Sequence, residues 1–493
     1  MDSVSINNEM DDFRARRVLV FGLGLLGGGV ATANWFLERG AIVTVTDLKG
    51  EKELGSSIDQ IRGQVTLSLG GHREEDIRES EVIVVNPGVP FDSPFIKLAK
   101  ALGKSVESEA TLFYRLCRQP IVAITGTRGK TTTTQWTRHL LDKRYRAFAA
   151  GNSPTAPLLE VLGQTSRTTT ENESLPEIVV NELPSYHLEL FDGIRRAPRI
   201  AMITNLYQDH LNRYGAIELY AKTKAQIFSN QTKQDDLILN YDNQWTNFFL
   251  KRQPRSHVWF FSTSELPTGA SGVFCDNTYL YFKQSQREAV RVFRIADFVV
   301  ARGRHGVENL MASSLAAHLC GISWNEIESN LESLPEIPFR QQTIHETESM
   351  KIINDTTATT PEGALAAVKR FGGPACVLIA GGTDANLDYE EWGKVLFRYI
   401  RPENLVLLTG SATNKMIAAF GHLGDGVTVR STLQECVRIG LEKAAKYENS
   451  ILLFSPGAKS FESFLNEMDR GREFNKLLEE AQLWRTQSMK PTD

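Results

Sequence analysis

The stretch that most constrains this fold is residues 120–135, which read PIVAITGTRGKTTTTQ. A β-branched apolar run at residues 121–124 predicts a buried strand, and the glycine-rich turn after it leads into a helical pattern. In such a turn, backbone N–H groups and a helix N-terminus point toward a bound phosphate. Lys130 adds a positive charge, and the Thr131 hydroxyl can coordinate Mg²⁺. Ile124 stands where the usual pattern begins with glycine, so the loop is a shortened variant. The residues predicted to contact nucleotide phosphates are Gly126, Thr127, Arg128, Gly129, Lys130, Thr131 and Thr132.

Length and composition narrow the class of protein. A chain of 493 residues is long enough for about three domains. The net charge of −4 favours small-molecule partners over nucleic acid or an anionic membrane. The five cysteines show no CxxC spacing, and no run approaches the ~20 apolar residues of a spanning helix. We therefore expect a cytoplasmic enzyme without a zinc site or disulfide framework.

A second glycine-rich turn lies near the N-terminus. Residues 17–21 predict a strand that enters GLGLLG, a helix follows at residues 28–39, and a further strand at residues 41–46 ends in Asp47. This is a dinucleotide-type βαβ unit, but its glycines recognise phosphate rather than nicotinamide. An NAD-linked oxidoreductase and a non-catalytic nucleotide-binding protein therefore remain alternatives to a nucleotide-dependent enzyme. We expect this first domain to end at residue 118.

The predicted central domain, residues 119–334, has polar side chains where two strands end. Residues 178–180 lead to Glu182, and residues 200–204 lead to Asn205, Asp209 and His210. Strand ends of a parallel sheet meet at one edge, so these groups are expected beside the phosphate loop. Carboxylate and imidazole ligands there could complete the coordination of Mg²⁺ bound to ATP.

Two lysines follow on a predicted helix. Lys222 and Lys224 have the ordinary interpretation of solvated helix lysines. Close to metal ions, one of the two amines could instead lose its proton and react with CO₂ to form an anionic carbamate.

The third domain is predicted at residues 335–493. Its strands are expected at residues 351–353, 375–380, 405–409 and 451–454. Three of these strands run into loops that could face a ligand, NDTTATTPEG, GGTDANLD and SPGAKSFESF.

The complete set of motifs resembles the Mur ligases. ITGTRGKTTTT, ELPSYHLE, TNLYQDHLNRY, ELYAKTKAQIF, GRHGVEN, INDTTATTPEG, GGTDANLD and SPGAKSFESF occur in the order typical of that family. With the GLGLLGGG segment, the chain is most similar to the branch that adds glutamate to UDP-N-acetylmuramoyl-L-alanine. The resemblance implies an α/β fold with a Rossmann-like UDP-binding domain, a central P-loop-type ATPase domain and a Rossmann-like C-terminal domain.

The resemblance also implies roles for individual residues. The UDP substrate would be contacted by Leu25, Leu26, Asp47, Asn86, Gly88 and Asn152. Asn309, Arg340 and Asp355 would position ATP, and Thr359 and Ser460 would receive glutamate. Thr131, Glu182, His210 and a carbamylated Lys224 would hold a pair of Mg²⁺ ions, with Lys130, Lys224 and His210 as catalytic residues.

The implied reaction belongs to peptidoglycan precursor synthesis. ATP would phosphorylate the alanyl carboxylate, and the acyl phosphate would then react with the glutamate amine. The chain is expected to act as a monomer. Because a solvated helix lysine contributes little to folding, Lys224→Ala is expected to abolish ligation with little loss of stability.

Several positions depart from the family pattern. Pro184 and His187 replace a usual serine and glutamine, Gly306 replaces asparagine, and Thr357 replaces lysine. The GGTDANLD loop also lacks a lysine that is common there. The amino-acid pocket is therefore expected to differ, either binding D-glutamate through other donors such as Lys459 or selecting L-glutamate.

Overall fold

The computed structural model describes residues 12–25, 27–90, 92–151, 157–165 and 175–488. The chain divides into two compact units, residues 1–335 and residues 336–493. Within the described part of the chain, no helix combines the length and the apolarity needed to cross a membrane.

The first sheet of the first unit has five parallel strands in the order β3-β2-β1-β4-β5. These strands are β1 (Arg17–Phe21), β2 (Ile42–Asp47), β3 (Thr66–Leu69), β4 (Val82–Val85) and β5 (Ser105–Glu107). The accompanying helices are α1 (Gly28–Leu37), α2 (Glu51–Ile58), α3 (Glu74–Glu79), α4 (Pro94–Ala101) and α5 (Glu109–Leu116). This strand order, with β1 between β2 and β4, is that of a Rossmann fold without its sixth strand.

The second sheet of the first unit has nine strands in the order β14-β13-β12-β11-β10-β9-β6-β8-β7. Its strands are β6 (Ile121–Thr125), β7 (Arg146–Gly151), β8 (Glu177–Glu182), β9 (Ile200–Ile203), β10 (Asp236–Asn240), β11 (His257–Ser262), β12 (Gly272–Cys275), β13 (Tyr279–Lys283) and β14 (Val290–Arg294). Its helices are α6 (Lys130–Leu141), α7 (Leu158–Thr165), α8 (Ser185–Leu188), α9 (Leu211–Tyr214), α10 (Ile217–Ala225), α11 (Thr246–Leu250), α12 (Ala296–Leu319) and α13 (Trp324–Glu328). The pairings of β13 with β12 and with β14 are antiparallel and the other pairings are parallel, so the phosphate-loop strand β6 lies in the parallel part of the sheet.

The second unit is built on a six-stranded sheet in the order β15-β16-β20-β17-β18-β19. Its strands are β15 (Gln342–Glu346), β16 (Met350–Asn354), β17 (Cys376–Gly381), β18 (Leu405–Leu408), β19 (Thr428–Arg430) and β20 (Ser450–Phe454). Its helices are α14 (Pro361–Phe371), α15 (Glu390–Leu396), α16 (Ser411–Phe420), α17 (Leu433–Ala444) and α18 (Glu467–Ser488). The pairing of β15 with β16 is antiparallel and the other pairings are parallel.

The apolar strand runs are explained by burial on both faces of each sheet. In β1, Val18 and Val20 belong to one hydrophobic cluster, whereas Leu19 and Phe21 belong to another. Because successive side chains of a strand point to opposite faces, a strand covered on both sides must be apolar at every position. The larger of these clusters continues into the central sheet, so the first two sheets share a core within the first unit.

The α/β fold class with three parallel-rich sheets is confirmed. Each predicted strand is present, with ends displaced by no more than a few residues. The predicted boundaries at residues 118 and 334 remain predictions.

The five cysteines are free thiols. Cys117, Cys275, Cys376 and Cys436 are buried, and Cys320 is partly buried. Burial raises the pKa of each of these thiols, which keeps them protonated and weakly nucleophilic at neutral pH.

Candidate active site

The phosphate loop connects β6 to α6, as predicted. Gly129 caps α6 in a left-handed conformation with φ of 79°, and a Cβ added there would lie 2.3 Å from Asn309 Oδ1. Gly126 is equally constrained, because an added Cβ would lie 1.9 Å from Thr204 Oγ1. Glycine is therefore required at both positions by backbone conformation and by close neighbours. Lys130 is the first residue of α6, and its ammonium donates to the carbonyls of Gly126 and Thr127 at 3.0 and 3.1 Å.

The end of the neighbouring strand β9 braces this loop. Asn205 accepts the Arg128 N–H at 2.8 Å through its side chain and the Thr127 N–H at 3.0 Å through its carbonyl. Thr204 Oγ1 donates to the Arg128 carbonyl at 2.6 Å. The loop is thus held in shape by the protein itself, with the helix N-terminus of α6 beside it. Thr204 was not among the predicted site residues, although its position at a strand end could have indicated it.

Asn309 joins the phosphate loop from the long helix α12. Its Oδ1 accepts the Thr133 hydroxyl at 3.3 Å and lies against Gly129. The structure therefore brings together the predicted nucleotide-binding residues of the first unit. Thr131 and Thr132 continue the first turn of α6 and are both partly buried.

Lys224 corrects the prediction of a solvent-exposed lysine. Its side chain is 1% exposed, whereas Lys222 on the same helix is exposed. The Lys224 ammonium donates to the Gly126 carbonyl at 2.9 Å and to Thr125 Oγ1 at 3.3 Å, and it lies 4.6 Å from the centre of the Tyr220 ring. Its removal therefore cannot leave folding unaffected, because a buried stem and several contacts would be lost.

The surroundings of Lys224 lower the pKa of its amine, and burial is the largest cause. Burial and then repulsion by Lys130 lower its pKa well below 10.5, and the attraction of Asp209 and Glu182 only partly opposes them. A neutral amine is nucleophilic, whereas an ammonium ion is not. Of the two lysines on this helix, Lys224 is therefore the buried one, and its surroundings favour the nucleophilic form.

Of the acidic residues at the two strand ends, Glu182 and Asp209 attract the charge of Lys224, and His210 lies next to Asp209. Glu182 ends β8 and is 6% exposed, while Asp209 is 7% exposed and pairs with Arg128 at 3.5 Å. His210 adopts a left-handed conformation with φ of 55°, and its Nε2 lies 3.9 Å from Asp209 Oδ2. Among the described residues, no three Asp, Glu, His or Cys side chains form a metal cluster by themselves.

The N-terminal glycine turn is braced by Asp47. Asp47 Oδ2 accepts the N–H groups of Leu23 and Gly24 at 2.9 and 3.0 Å, and its Oδ1 accepts the Lys49 N–H at 2.9 Å. Asp47 thus uses both oxygens to shape the loop. Leu25, which follows, is 45% exposed.

Asn86 follows β4 and lies next to this turn. A Cβ added at Gly22 would lie 3.0 Å from the Asn86 Cβ, and Asn86 Oδ1 accepts the Gly88 N–H at 3.1 Å. The predicted contacts Leu26 and Asn152 lie outside the described residues.

Arg213 connects the Asn86 loop to the segment that carries His210. Its guanidinium binds both oxygens of Glu189 at 2.6 and 2.7 Å and donates to the Pro87 carbonyl at 2.7 Å. Tyr214 donates to the same Glu189 carboxylate at 2.7 Å. Sequence reasoning missed this link, since nothing in the local pattern distinguishes Arg213 from a surface arginine.

We expect Arg213→Met to raise the KM for a ligand of the Asn86 loop more than the KM for ATP. The substitution leaves the Glu189 carboxylate, which is 10% exposed, without its cation, and it should cost about 1–3 kcal/mol of stability. Steady-state kinetics and thermal unfolding measure the two effects. Arg62→Met is the matched control, since the Arg62 side chain is 73% exposed and its ion pair with Glu38 is long, at 3.9 Å. Equal changes in both KM values would contradict a link to this loop.

In the second unit, Asp355 fixes the segment that carries Arg340. Asp355 accepts the Gln341 N–H at 3.0 Å and the Ser455 hydroxyl at 2.7 Å. Burial raises its pKa to about 7, and Arg340 lowers it less strongly. Thr357 Oγ1 donates to the Phe339 carbonyl at 2.8 Å, so the residue that replaces the usual lysine holds this same segment.

Thr359 and Ser460 also lie in the second unit and are 7% and 3% exposed. Arg470, which the sequence analysis did not single out, supports their loops. It is completely buried, and its guanidinium donates to carbonyls of Thr356, Ala458 and Lys459.

The positions that depart from the family pattern are accommodated locally. His187 is 5% exposed, and burial lowers its pKa to about 4, so the ring is neutral at physiological pH. Gly306 is buried in α12, where an added Cβ would lie 2.4 Å from the Arg302 Cβ.

The fold and the loop together define a phosphate-loop protein of the α/β class, in which Lys130 and the N-terminus of α6 lie at the glycine-rich turn. Family models match it as a Mur ligase middle domain at residues 124–317 and as a Mur ligase MurD-like N-terminal domain at residues 16–108. The chain is 34% identical over 472 residues to a UDP-N-acetylmuramoylalanine–D-glutamate ligase of Roseiflexus sp. (strain RS-1), covering 94% of this chain and 98% of that relative. This chain therefore belongs to the Mur ligase family.

Other similarities agree with this assignment. A second UDP-N-acetylmuramoylalanine–D-glutamate ligase, from Caldanaerobacter subterraneus subsp. tengcongensis, is 31% identical with 94% of this chain and 98% of the relative covered. The solved structure of UDP-N-acetylmuramate-alanine ligase MurC from Thermotoga maritima superposes with a TM-score of 0.57 at 18% identity, covering 96% of this chain and all of that one. The structural match supports the fold alone.

Proposed function

We propose that this chain is an ATP-dependent ligase that joins glutamate to UDP-N-acetylmuramoyl-L-alanine through an acyl phosphate, as in peptidoglycan precursor synthesis. The observation that carries the proposal is the buried Lys224 amine, which lies behind the phosphate loop and interacts with Lys130, Asp209 and Glu182. Relatives named for D-glutamate ligation cover nearly the whole chain. Family membership and site geometry therefore support the same chemistry.

The residues of the phosphate loop would act on the first step. An oxygen of the alanyl carboxylate attacks the γ-phosphorus of ATP, the bond to the bridging oxygen breaks, and ADP leaves. Lys130 would stabilise the negative charge on the transferring phosphoryl group, and the loop N–H groups would hold the remaining phosphates. Asn309, against Gly129, would keep the loop in this shape.

The second step needs no further nucleotide chemistry. The neutral amine of glutamate attacks the acyl carbon, an amide bond forms, phosphate leaves with its electron pair, and the nitrogen gives up a proton. Phosphate is a far better leaving group than the oxide of a free carboxylate, which explains why ATP is required.

The donor set of the site suits Mg²⁺. Glu182 and Asp209 are buried oxygen donors beside Lys224, and hard oxygen ligands are those that Mg²⁺ prefers. We propose that Thr131, Glu182, His210 and a carbamate on Lys224 would hold a pair of such ions. Bound Mg²⁺ would neutralise charge on the phosphates of ATP.

A carbamate on Lys224 would change the sign of the charge at the centre of the site. The ammonium first loses a proton, the lone pair of the neutral amine then forms a bond to the carbon of CO₂ as one C–O π bond breaks, and the nitrogen releases a second proton, which leaves an anion. This change would remove the repulsion by Lys130 that lowers the pKa of Lys224. The existing cations Lys130 and Arg128 would then stabilise it.

We propose that each of the three sheet-containing domains binds a different substrate. Residues 119–334 would bind ATP, and residues 335–493 would bind glutamate through Thr359 and Ser460. Residues 1–118 would bind the UDP-sugar, with one further contact from the next domain. The residues proposed for this substrate are Leu25, Leu26, Asp47, Asn86, Gly88 and Asn152. Arg340 and Asp355 would contribute to ATP binding. We propose a cytoplasmic monomer, because the five cysteines are free thiols and all the residues proposed for the site belong to one chain.

Product analysis with purified protein tests this proposal. We expect release of ADP and phosphate only when UDP-N-acetylmuramoyl-L-alanine and glutamate are both present with ATP and Mg²⁺. D-glutamate is the expected enantiomer, and the altered loops at Thr357 and GGTDANLD make L-glutamate the alternative. Each enantiomer is therefore assayed separately, with Lys130→Met as the inactive control. Absence of the amide product with both enantiomers would refute the function.

A further inference from the structure

A cleft in the first unit lies between the end of α10 and the loop that follows α11. It has a volume of about 410 Å³ and is lined by residues of both segments. Lys222, Arg252 and Arg255 line it with exposed side chains, and Phe228 and Pro254 add apolar surface. None of the described residues that line the cleft is acidic. The cleft is therefore positively charged with a small apolar wall.

Contacts within the protein hold the two sides of this cleft together. The Arg255 guanidinium donates to the Ser229 carbonyl at 3.2 Å, which ties the loop to the turn after α10. Gln253 adopts a left-handed conformation with φ of 51°, which is uncommon for a residue other than glycine, and Pro254 follows it. With this bend in the chain, Arg252 and Arg255 line the same cleft from positions on either side of Gln253. The cleft is thus shaped by the protein itself.

The positive charges of the cleft are not neutralised by the contacts that these side chains make. The hydrogen bond of Arg255 goes to a backbone carbonyl, and the Arg252 guanidinium lies 4.3 Å from the centre of the Phe248 ring. In the part of the chain that the structure describes, neither arginine nor Lys222 forms an ion pair with a carboxylate. An anion bound in the cleft would interact favourably with all three cations, because like charges that line one cleft otherwise repel.

We propose that this cleft binds a small molecule through its phosphate groups. Phosphate oxygens accept charge-assisted hydrogen bonds from ammonium and guanidinium groups, and the planar guanidinium can donate two of them side by side. The volume of the cleft lies within the range of small-molecule sites, roughly 300–1,000 Å³, whereas nucleic acid requires an extended basic surface. The lining residues do not include those proposed for ATP, the UDP-sugar or glutamate, so this inference does not rest on the proposed ligase function.

Chemical modification of Lys222 measures occupancy at the cleft itself. Acetylation by an activated ester, followed by mass spectrometry of the peptides, gives a separate rate for each lysine, and pyrophosphate is the probe. At a pyrophosphate concentration about ten times its Kd, the rate at Lys222 should fall by about tenfold through mass action. Lys251 is the matched control, because it is exposed and adjacent to Arg252 but does not line the cleft. Its rate should stay the same.

Substitution of Arg252 tests whether the cations of the cleft bind the probe. Arg252→Met should raise the pyrophosphate concentration that protects Lys222 by about tenfold or more, because a charge-assisted hydrogen bond is lost. Lys251→Met removes the same charge from the neighbouring position and should leave the protection unchanged. Both side chains are exposed, so both variants should fold, and circular dichroism melting checks this. Equal effects of the two substitutions would overturn the proposal, because a general loss of charge would then explain them.

A further variant separates the cleft from the phosphate loop. In Lys130→Met, pyrophosphate should protect Lys222 as it does in the unsubstituted protein. Loss of protection in this variant would assign the effect to the phosphate loop and overturn the proposal. Ligase activity does not enter any of these measurements, so their outcome and that of the product analysis are independent.

ADP, tested in the same Lys130→Met variant, distinguishes two sources of the phosphate groups. Protection at lower concentrations of ADP than of pyrophosphate would indicate a nucleotide whose organic part contacts Phe228 and Pro254. Protection at equal or higher concentrations would indicate that the phosphate groups alone are recognised. If neither compound protects Lys222, or if only polyglutamate does so, the cleft is not a site for a small phosphorylated molecule.

Discussion

Lys224→Met should lose ligase activity by about 10²-fold or more while keeping its fold. Methionine replaces the buried stem with a side chain of similar length but removes the amine, and no carbamate can form. The free energy of unfolding should therefore change by no more than about 1–2 kcal/mol. Product formation under saturating substrates and chemical denaturation measure the two effects. Activity close to that of the unsubstituted protein would reject a chemical role for this amine.

Lys224→Ala provides the contrast. It also removes the amine, but it leaves a cavity beside Tyr220 and should cost about 2–5 kcal/mol, as other large-to-alanine changes in cores do. A short carboxylate such as acetate fits such a cavity and should partly restore activity to Lys224→Ala but not to Lys224→Met. The carbamate itself should give a resonance from ¹³C-labelled bicarbonate in the unsubstituted protein that both variants lack. If acetate had the same effect on the activity of both variants, the activity would not depend on an anion at the position of Lys224.

Arg470→Met should unfold the second unit at markedly lower denaturant concentration, with a loss of about 3–5 kcal/mol. The guanidinium is completely buried and donates to backbone carbonyls of two loops, Thr356 in one and Ala458 and Lys459 in the other. Burial lowers its pKa to about 10, with only Glu467 acting in the opposite direction. Losing it would leave the Thr356 and Ala458 carbonyls without the Arg470 donor and the Lys459 carbonyl with the Thr383 N–H alone, and it would release the loops that carry Thr359 and Ser460.

The neighbouring arginine is the matched control for this prediction. Arg472 is two residues away on the same helix, is 62% exposed and makes one 3.5 Å contact with Asp469. Arg472→Met should change stability by less than about 0.5 kcal/mol. Arg470→Lys should recover only part of the loss, because an ammonium has fewer donors than the guanidinium fork. Hydrogen exchange would locate the effect in residues 336–493, and similar losses in Arg470→Met and Arg472→Met would show that burial of Arg470 is not its cause.

The fold could be predicted from the sequence because its strands are buried on both faces. Val18 through Phe21 must all be apolar to fill two clusters, and this continuous run is visible in the sequence. The phosphate loop was equally predictable, because its glycines are visible in the sequence. The structure explains why they are glycines, since a larger side chain at Gly126 or Gly129 would clash with close neighbours.

The burial of individual polar residues could not be predicted in the same way. Lys222 and Lys224 are two positions apart on one helix, and only packing against the Gly126 carbonyl determines that Lys224 is the buried one. Tyr220, one helical turn before Lys224, was a usable signal, because residues four apart share a helix face. Arg470 and Arg472 are likewise indistinguishable until the loops that Arg470 contacts have been placed.

The buried thiols make this chain convenient for chemical labelling. All five have a raised pKa, and four of them are shielded from solvent, so a maleimide would react with them slowly. A cysteine introduced at an exposed position such as Val300, which is 85% exposed, would react first. A fluorophore could then be attached to the otherwise native sequence, and substrate binding could be followed optically without replacing any natural cysteine.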